Sequence, residues 1–243
     1  MPRLRGKVTA VDNVKASYTA FHASHKPAHV YPSEWLIRTL LGKYPKLELD
    51  KTRYKGAKIL DVGFGDGRSW PLLHALSFDI YGVEITEDIL RLGRERARAL
   101  GVDAKLAIGT NASIPFDDGF FDFILASASC YYVDEGTTFA DNVREYYRVL
   151  KPGGTLIATL PEATSSIFDG AEELGDGHVT IRNDPWGLRN GYVFRWFRSD
   201  QEVRDALSPA FSDFSTGLCC DNYYGIRINL FLLVCRKAVV DRA

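Results

Sequence analysis

Three glycines and one acidic residue have a spacing that suggests chemistry. Gly63, Gly65 and Gly67 follow the short apolar run 57–62, and Glu84 lies 21 positions after the first of these glycines. Glycine has no Cβ, so a ligand can lie directly against such a loop, close to the free N–H groups of a following helix. A carboxylate at the end of the next strand can accept hydrogen bonds from both hydroxyls of a ribose. The combination predicts a site for a nucleoside-containing cofactor.

The loop differs from the fingerprint of dinucleotide-binding proteins at one position. That fingerprint, G-x-G-x-x-G, needs a glycine at position 68, where the sequence has Arg68. The difference weakens the interpretation of the loop as a pyrophosphate cradle. The turn Lys151-Pro152-Gly153-Gly154 also counts against an NAD-dependent Rossmann oxidoreductase, which stays open as an alternative.

Short apolar runs alternate with helical patterns in the middle of the chain, and this order positions the loop and the acid. The predicted strands are 57–62, 79–84, 105–108, 120–126 and 155–160. Capping residues support the helices between them, among them Thr86 and Asp134 as N-caps and Gly101 as a stop. Strands that alternate with helices imply βαβ units and a parallel sheet with both faces covered.

The regular alternation is flanked by segments of a different kind. A helical pattern covers residues 14–43, and polar turns followed by aromatic residues fill 161–198, where a substrate-specific insertion is expected. Ser199 is expected to cap a short helix. The apolar run 228–235 predicts a late strand that adds an antiparallel edge to the sheet.

The composition is that of an ordinary folded protein, but the charge is unevenly distributed. The 243 residues are 46% hydrophobic and 25% charged, with a formal net charge of -1, so global disorder is not expected. Residues 1–60 contain 12 Lys or Arg and 4 Asp or Glu, a local balance of +8. A near-neutral chain argues against a nucleic acid or an anionic membrane as partner. The basic segment is compatible with an anionic small molecule.

Metal, export and membrane signals are weak in this sequence. None of the four cysteines forms a C-x-x-C pair, so we expect no metal site. The basic residues at the N-terminus lack the apolar segment of a signal peptide, and the longest apolar run is too short to cross a bilayer. We therefore expect a cytoplasmic protein without a membrane partner.

Four linked motifs resemble the class I S-adenosylmethionine-dependent methyltransferases, most closely their small-molecule branch. The motifs are D-x-G-x-G-x-G from Asp61, the acid after the second strand, the segment 109–122 and the segment 148–156. They cover roughly residues 55–160 in the order and spacing of that family, and four linked motifs are more specific than one. The resemblance implies an α/β, Rossmann-like, seven-stranded, mostly parallel sheet with helices on both faces and an antiparallel last strand.

The resemblance also implies how the chain is organised. We expect a single methyltransferase domain over 1–243. Its expected parts are an N-terminal helical cap (1–55), a cofactor-binding core (56–160), a substrate-side insertion (161–198) and a C-terminal completion of the sheet (199–243).

The cofactor implied by the resemblance is S-adenosylmethionine, with S-adenosylhomocysteine as its product. The residues implied for its methionine end are Asp61, Gly63, Phe64, Gly65 and Gly67. Glu84 is implied for the ribose, Ile85 for one adenine face and Ser127 for a place beside the sulfonium. Thr110, Asn111 and Ala112 are implied for the adenine edge, where the Asn111 carbonyl replaces the family's usual carboxylate as a potential acceptor.

Methyl transfer is an in-line displacement for which the protein mainly aligns the reactants and excludes water. A sugar or alcohol hydroxyl needs a base, whereas an amine needs only its neutral form. His178 and His22 are the base candidates, although a surface or packed position is the simpler explanation for each histidine taken alone. Tyr131 and Tyr132 follow the fourth strand and are expected in the acceptor pocket, with plain core packing as the alternative.

We expect the acceptor to be a small molecule, anionic or sugar-like. The segment 127–130 lacks the Asn/Asp-Pro-Pro-Tyr/Phe run of DNA base methyltransferases, which disfavours nucleic acid. The segments 31–34 and 183–191 are similar to bacterial methyltransferases associated with surface-polysaccharide synthesis, which suggests O-methylation of a sugar there or in natural-product biosynthesis. A non-catalytic S-adenosylmethionine-binding partner protein stays open, and so does the oligomeric state.

Overall fold

A computed structural model describes residues 10–24, 29–208 and 210–238, with the backbone alone for residues 10–14, 22 and 23. The helices of this part of the chain are α1 (Ala10–Ser24), α2 (Glu34–Leu41), α3 (Trp70–Ala75), α4 (Glu87–Leu100), α5 (Phe139–Val149) and α6 (Asp200–Leu207). The first strands are β1 (Lys58–Val62), β2 (Asp79–Glu84), β3 (Ala104–Ile108), β4 (Phe121–Ala126), β5 (Tyr132–Val133) and β6 (Leu150–Pro161). The later strands are β7 (Glu172–Gly175), β8 (His178–Thr180), β9 (Val193–Arg195), β10 (Phe211–Tyr223) and β11 (Ile226–Lys237). Short 3-10 turns lie at Lys51–Arg53 and Ser166–Phe168.

Seven strands form one sheet in the order β10-β11-β6-β4-β1-β2-β3. The five neighbouring strands β3, β2, β1, β4 and β6 pair in parallel. Strand β11 runs antiparallel to both of its neighbours, β6 and β10. The predicted mostly parallel, seven-stranded sheet with an antiparallel last strand is confirmed. The chain turns at Gly225 between β10 and β11, so these two strands form the expected antiparallel edge, with β11 beside β6 and β10 outermost.

Helices cover both faces of this sheet, as predicted. Successive side chains of a strand point to opposite faces, so Leu60 and Ile124 pack in a core with α5 and α6. Ile59 and Phe123 pack in a second core with α2, α3 and α4. These four side chains are buried, which is expected for parallel strands with both faces covered.

The segment after β6 forms a second sheet that the sequence did not predict. Its strands pair in the order β5-β9-β8-β7 and are antiparallel, so the segment 172–195 is paired with Tyr132 and Val133, which lie between β4 and α5. Strands of two to four residues are too short to show a periodic pattern. The insertion therefore returns to the carboxyl edge of the main sheet.

Two predicted N-caps have different outcomes. Thr86 accepts a hydrogen bond from the Ile89 N–H and begins α4, as predicted. The prediction for Asp134 was wrong, because α5 begins only at Phe139 and Thr138 is its N-cap. Asp141 accepts a hydrogen bond from the Thr138 N–H at 2.7 Å and forms a capping box with Thr138 at the N-terminus of α5. Asp134 therefore does not cap this helix.

The helical pattern predicted for 14–43 consists of two helices, α1 and α2. Ser33 precedes α2 as expected, but its side chain makes no capping hydrogen bond. Helix α1 lies against α4, where the hydroxyls of Thr19 and Thr86 are 3.2 Å apart. This contact brings the N-terminal segment to the carboxyl edge of the sheet.

Candidate cofactor and acceptor site

The carboxyl ends of β1, β2 and β4 border a cavity of about 280 Å³. Strand β1 lies between β2 and β4, so the chain leaves β1 and β4 toward opposite sides of the sheet. Such a reversal of strand order opens a crevice, and ligands of open α/β sheets bind in it. The cavity lies where the sequence predicted a cofactor site.

The glycine loop lies against this cavity through its backbone. Gly63 has a φ of +67°, and a Cβ added there would lie 2.9 Å from the Cβ of Ser129. A side chain at this position would therefore fill the gap between the ends of β1 and β4. Gly65 has a φ of +54° and directs its N–H toward Glu84.

The ring of Phe64 anchors the same loop. It packs against Trp70 with ring centroids 5.1 Å apart and is buried. Gly82 and Gly93 make room for it, because an added Cβ would come within 2.7 Å and 2.5 Å of the Phe64 ring. Phe64 borders the cavity, but its ring contributes to the core and fixes the loop beneath the ligand site.

Two buried carboxyl groups, Asp61 and Glu84, border the cavity. Glu84 accepts hydrogen bonds from the N–H groups of Gly65 at 2.9 Å and Ile85 at 3.0 Å, one on each oxygen. Burial raises the pKa of Glu84, and these two donors oppose the rise. Burial and the charge of Glu84 raise the pKa of Asp61 to about 7. Neither carboxyl forms an ion pair among the described residues, since Arg68, which also lines the cavity, pairs with Asp66. Two such buried acids are costly when ionised, so this edge favours a positively charged ligand group.

The residues predicted for the adenine border the cavity only in part. Ile85, Thr110 and Asn111 line it, whereas Ala112 does not. The Asn111 side chain already has protein partners: its carbonyl accepts from the Tyr146 hydroxyl at 2.5 Å, and its amide donates to backbone carbonyls after β4. Asn111 therefore joins the loops after β3 and β4. If its side-chain oxygen also accepted a hydrogen bond from the adenine, as predicted, that oxygen would serve both the adenine and the Tyr146 hydroxyl.

Serines from the turn after β4 line the side of the cavity near Gly63. Ala128 has a φ of +55°, which turns the chain so that Ser127 and Ser129 both border the cavity. The Ser129 side-chain oxygen is buried and has no hydrogen-bond partner among the described residues. Buried polar groups are normally hydrogen-bonded, so this hydroxyl is available to a polar ligand atom.

Tyrosines from three separate segments line the far side. Tyr18 comes from α1, Tyr132 from β5 and Tyr192 from the insertion. The Tyr192 hydroxyl donates to Asp134 at 2.6 Å, and Asp134 also lines the cavity. The Tyr131 ring does not line the cavity. It is buried against Phe194, which corresponds to the alternative of plain core packing.

The structure does not bring the predicted base to the cavity. His178 lies on β8, half-buried, where its Nε2 accepts from the Phe139 N–H at 3.4 Å. Burial and the nearby Arg195 charge lower its pKa, but it is absent from the described cavity lining. Gly67 is absent from this lining too, because it packs on the Trp70 ring. The side chain of His22 lies outside what the structure describes.

Several lining residues were not predicted. They are Tyr18, Val62, Arg68, Ser69, Val83, Gly109, Ala128, Ser129 and Asp134. Those next to the motifs, such as Arg68 and Ser129, were within reach of sequence reasoning, because they lie in the loops that follow β1 and β4. Tyr192 belongs to the aromatic residues of the expected substrate-side insertion, whereas Tyr18 carried no comparable signal, since only the folded chain brings α1 to the cavity.

Comparison with known proteins identifies the central part of the chain. Residues 60–158 match the family model described as a methyltransferase domain. They form a class I S-adenosylmethionine-dependent methyltransferase domain. This confirms the family resemblance drawn from the four motifs, and S-adenosylmethionine is the methyl donor of that family.

Curated relatives match the methyltransferase domain over a limited length. A ubiquinone/menaquinone biosynthesis C-methyltransferase of Neisseria gonorrhoeae is 31% identical over 107 residues, which are 42% of this chain and 42% of that relative. A demethylmenaquinone methyltransferase of Listeria monocytogenes is 31% identical over 107 residues, 42% of this chain and 44% of that relative. The chain thus spans less than half the length of these relatives.

Solved structures match the methyltransferase domain together with its flanking segments. An S-adenosylmethionine-dependent methyltransferase of Methanosarcina mazei has a TM-score of 0.61 and 21% identity to this chain. The match covers 82% of this chain and 99% of the Methanosarcina mazei chain. The [4+2]-cyclase SpnF has a TM-score of 0.60 and 17% identity, covering 94% of each chain. Structures with identities this low show the fold alone. Their similarity to this chain confirms the predicted Rossmann-like architecture.

No helix in the described ranges combines the length and the apolar character needed to cross a membrane.

Proposed function

We propose that this chain transfers a methyl group from S-adenosylmethionine to a small-molecule acceptor and releases S-adenosylhomocysteine. The observation that carries the proposal is the position of Glu84 at the carboxyl edge of the methyltransferase domain. Its two oxygens are oriented by the Gly65 and Ile85 N–H groups and border the cavity. Each oxygen keeps a lone pair for a ribose hydroxyl.

The residues present fit this ligand. The glycine loop leaves room that a Cβ at Gly63 would fill, and Ser129 offers a buried hydroxyl without a partner among the described residues. Asp61 faces a region that favours a positive charge and would hold the amino group of the methionine end. Ile85 would lie against the adenine.

The bound S-adenosylmethionine supplies a methyl group activated by a positively charged sulfur. The chain's own contribution is to hold the acceptor on the far side of the cavity, near Tyr132 and Tyr192, and to exclude water from the space between. Tyrosine rings and serine oxygens tolerate a positive charge nearby. This arrangement raises the rate mainly through alignment.

Within this function we propose an acceptor with a hydroxyl group. O-methylation of a sugar is the form favoured by the sequence motifs at 31–34 and 183–191. C-methylation of a ring carbon beside a hydroxyl is the second form, because the relatives named above act in ubiquinone and menaquinone biosynthesis. Both forms need a site for the acceptor oxygen, which the three tyrosines and Asp134 can provide.

Turnover with a panel of acceptors tests the proposal. The protein is incubated with S-adenosylmethionine and a sugar, a hydroxylated ring compound or an amine, and S-adenosylhomocysteine is quantified. We expect acceptor-dependent product formation with at least one hydroxylated compound. Binding of S-adenosylhomocysteine without turnover on any acceptor would indicate the non-catalytic binder. Binding of NAD but not of S-adenosylhomocysteine in calorimetry would favour the oxidoreductase and reject the proposal.

A further inference from the structure

Asp134 and Tyr192 face each other where the second sheet meets the cavity. Strands β5 and β9 are antiparallel and pair Val133 with Val193. The residue after Val133 and the residue before Val193 are therefore neighbours across the two strands. The Tyr192 hydroxyl donates to Oδ1 of Asp134 at 2.6 Å, and both residues line the cavity. The pairing of two very short strands thus brings a carboxylate to the far side of the cavity.

The backbone on both sides of this contact is held in place. The Asp134 carbonyl accepts from the N–H and from the hydroxyl of Thr137 at 3.0 Å and 2.8 Å. The Tyr192 N–H donates to the Arg189 carbonyl at 3.0 Å, and the Tyr192 carbonyl accepts from the Ile181 N–H at 2.9 Å. Tyr192 is also buried. The carboxylate of Asp134 therefore has a fixed partner and a fixed place.

The Asp134 carboxylate keeps acceptor capacity after its contact with Tyr192. Burial and the charge of Asp134 raise the pKa of Tyr192, so the phenol keeps its proton and donates it to the carboxylate. Within the described ranges, Tyr192 is the hydrogen-bond partner of this carboxylate, and no cation pairs with it. A carboxylate has about four lone-pair sites. The remaining sites are available to a ligand in the cavity.

The other polar groups of the described lining do not offer the same chemistry. Three further acids belong to the ends of β1 and β2 or to the glycine loop: Asp61, Asp66 and Glu84. The arginine of this lining, Arg68, pairs with Asp66 at 2.8 Å, so an anionic acceptor is disfavoured. On the far side, the hydroxyls of Tyr18 and Tyr132 are hydrogen-bonded to each other. Asp134 is thus the acid of the described lining that lies beside a neutral hydroxyl acceptor bound there.

We propose that Asp134 accepts the hydroxyl proton of the acceptor during methyl transfer, with Tyr192 as its positioning residue. This inference rests on the proposed function and names the base for O-methylation. The acceptor oxygen forms its bond to the methyl carbon while the carbon–sulfur bond breaks and leaves its electron pair on sulfur. The O–H bond of the acceptor breaks as well, its electron pair stays on oxygen, and the proton moves to Asp134. Asp134 then releases this proton to solvent.

The simpler explanation is that the contact between Asp134 and Tyr192 only closes the pairing of β5 with β9. Under that explanation, loss of the Asp134 charge affects the methylation of every acceptor alike, or of none. A base matters only for an acceptor that still carries its proton. The two explanations therefore differ in one readout, the dependence of the rate on the ionisation of the acceptor.

The test compares two phenols that differ in ionisation. At pH 8, 4-nitrophenol is largely ionised, whereas 4-methylphenol keeps its proton. Each phenol is incubated with S-adenosylmethionine, and S-adenosylhomocysteine is quantified. We expect Asp134→Asn to lower kcat/KM for 4-methylphenol by about 100-fold or more and to leave kcat/KM for 4-nitrophenol within about threefold. Tyr192→Phe keeps the carboxylate and should show the same selective loss by a smaller factor.

Glu135→Gln is the matched control, because Glu135 is the neighbouring acid, is exposed and does not line the described cavity. Both of its rates should equal those of the wild type. An equal loss with both phenols in Asp134→Asn, or no loss with 4-methylphenol, would overturn the inference. Absence of 4-methylphenol turnover by the wild type would overturn it too.

A measurement on the wild type alone covers the case in which Asp134→Asn does not fold. In heavy water the reaction of 4-methylphenol should slow, because its proton moves during methyl transfer, and the reaction of 4-nitrophenol should not. Equal rates of 4-methylphenol methylation in light and heavy water would contradict the inference.

Calorimetry with S-adenosylhomocysteine on the same samples separates the two proposals. Cofactor binding together with turnover of any acceptor leaves the proposed function standing, even where the comparison of the two phenols rejects the role of Asp134. If S-adenosylhomocysteine does not bind and no acceptor is methylated, the proposed function fails, and the inference fails with it.

Discussion

The two sides of the cavity are built from different parts of the chain. On the proposed cofactor side, Gly63, Gly65 and Glu84 lie within 22 consecutive residues and offer mainly backbone N–H groups and open space. On the proposed acceptor side, Tyr18 and Tyr192 lie more than 170 residues apart and offer side-chain hydroxyls. The proposed cofactor side is therefore built from two adjacent βα units, whereas the proposed acceptor side depends on segments outside them.

This division agrees with the range of chemistry found on the fold. A solved structure with a TM-score of 0.60 to this chain is described as a [4+2]-cyclase, and others are described as methyltransferases. A fold does not fix a reaction, because the reaction depends on the groups placed around the site. In this chain the tyrosines on the far side of the cavity come from α1, β5 and the segment after β6.

The largest effect is expected from Glu84→Ala on the cofactor side. The change removes the proposed acceptor of two ribose hydroxyls and leaves the Gly65 and Ile85 N–H groups without their Glu84 partner. We expect the affinity for S-adenosylhomocysteine in calorimetry to fall by more than about tenfold. Glu87→Ala is the control, since Glu87 is an exposed glutamate three positions later that pairs with Arg94. Equal affinities of the two variants would contradict the role of Glu84.

A smaller effect is expected for the stability of the protein when Asp61 is neutralised. The folded pKa of about 7 lies above the ordinary value of 3.8, so the folded state holds a proton that the unfolded state releases between these values. Wild-type stability should therefore fall as the pH rises from about 4 to about 7 and then level off. Asp61→Asn should be more stable than the wild type at pH 8, by about 1–3 kcal/mol in urea unfolding, while its affinity for the cofactor falls. A stability difference that does not change between pH 5 and pH 8 would contradict this account.

The smallest effect is expected on the acceptor side from Tyr192→Phe. The change removes the hydroxyl that donates to Asp134 and leaves the cofactor side untouched. We expect the free energy of unfolding to fall by about 1 kcal/mol and the affinity for S-adenosylhomocysteine to stay within about twofold. Turnover of a hydroxylated acceptor should change more than cofactor affinity does. A parallel loss of both would show that the two sides are not independent.

The sequence signals for the proposed cofactor side are local. Gly63 and Glu84 each lie at the end of a strand whose apolar run is visible, and parallel strands bring those ends to one edge. The prediction for Asp134 failed because an acid before a helix can act as a cap or serve elsewhere, and Thr138 with Asp141 supplied the helix start instead.

Apart from Tyr132, most of the proposed acceptor side could not be predicted, for a physical reason. Its strands β5 and β9 have two and three residues, so their pairing leaves no periodic pattern in the sequence. Tyr192 reaches the cavity only through this pairing, and Tyr18 only through the packing of α1 on α4. His178 was selected by residue type, and a residue type alone does not place a side chain at a cavity.

A crystal structure of the complex with S-adenosylhomocysteine tests the central claim most directly. The account expects both ribose hydroxyls within hydrogen-bond distance of Glu84, the amino acid end against Gly63 and Asp61, and the sulfur facing the side that carries Tyr132. A ligand bound elsewhere, or one whose ribose makes no contact with Glu84, would contradict it.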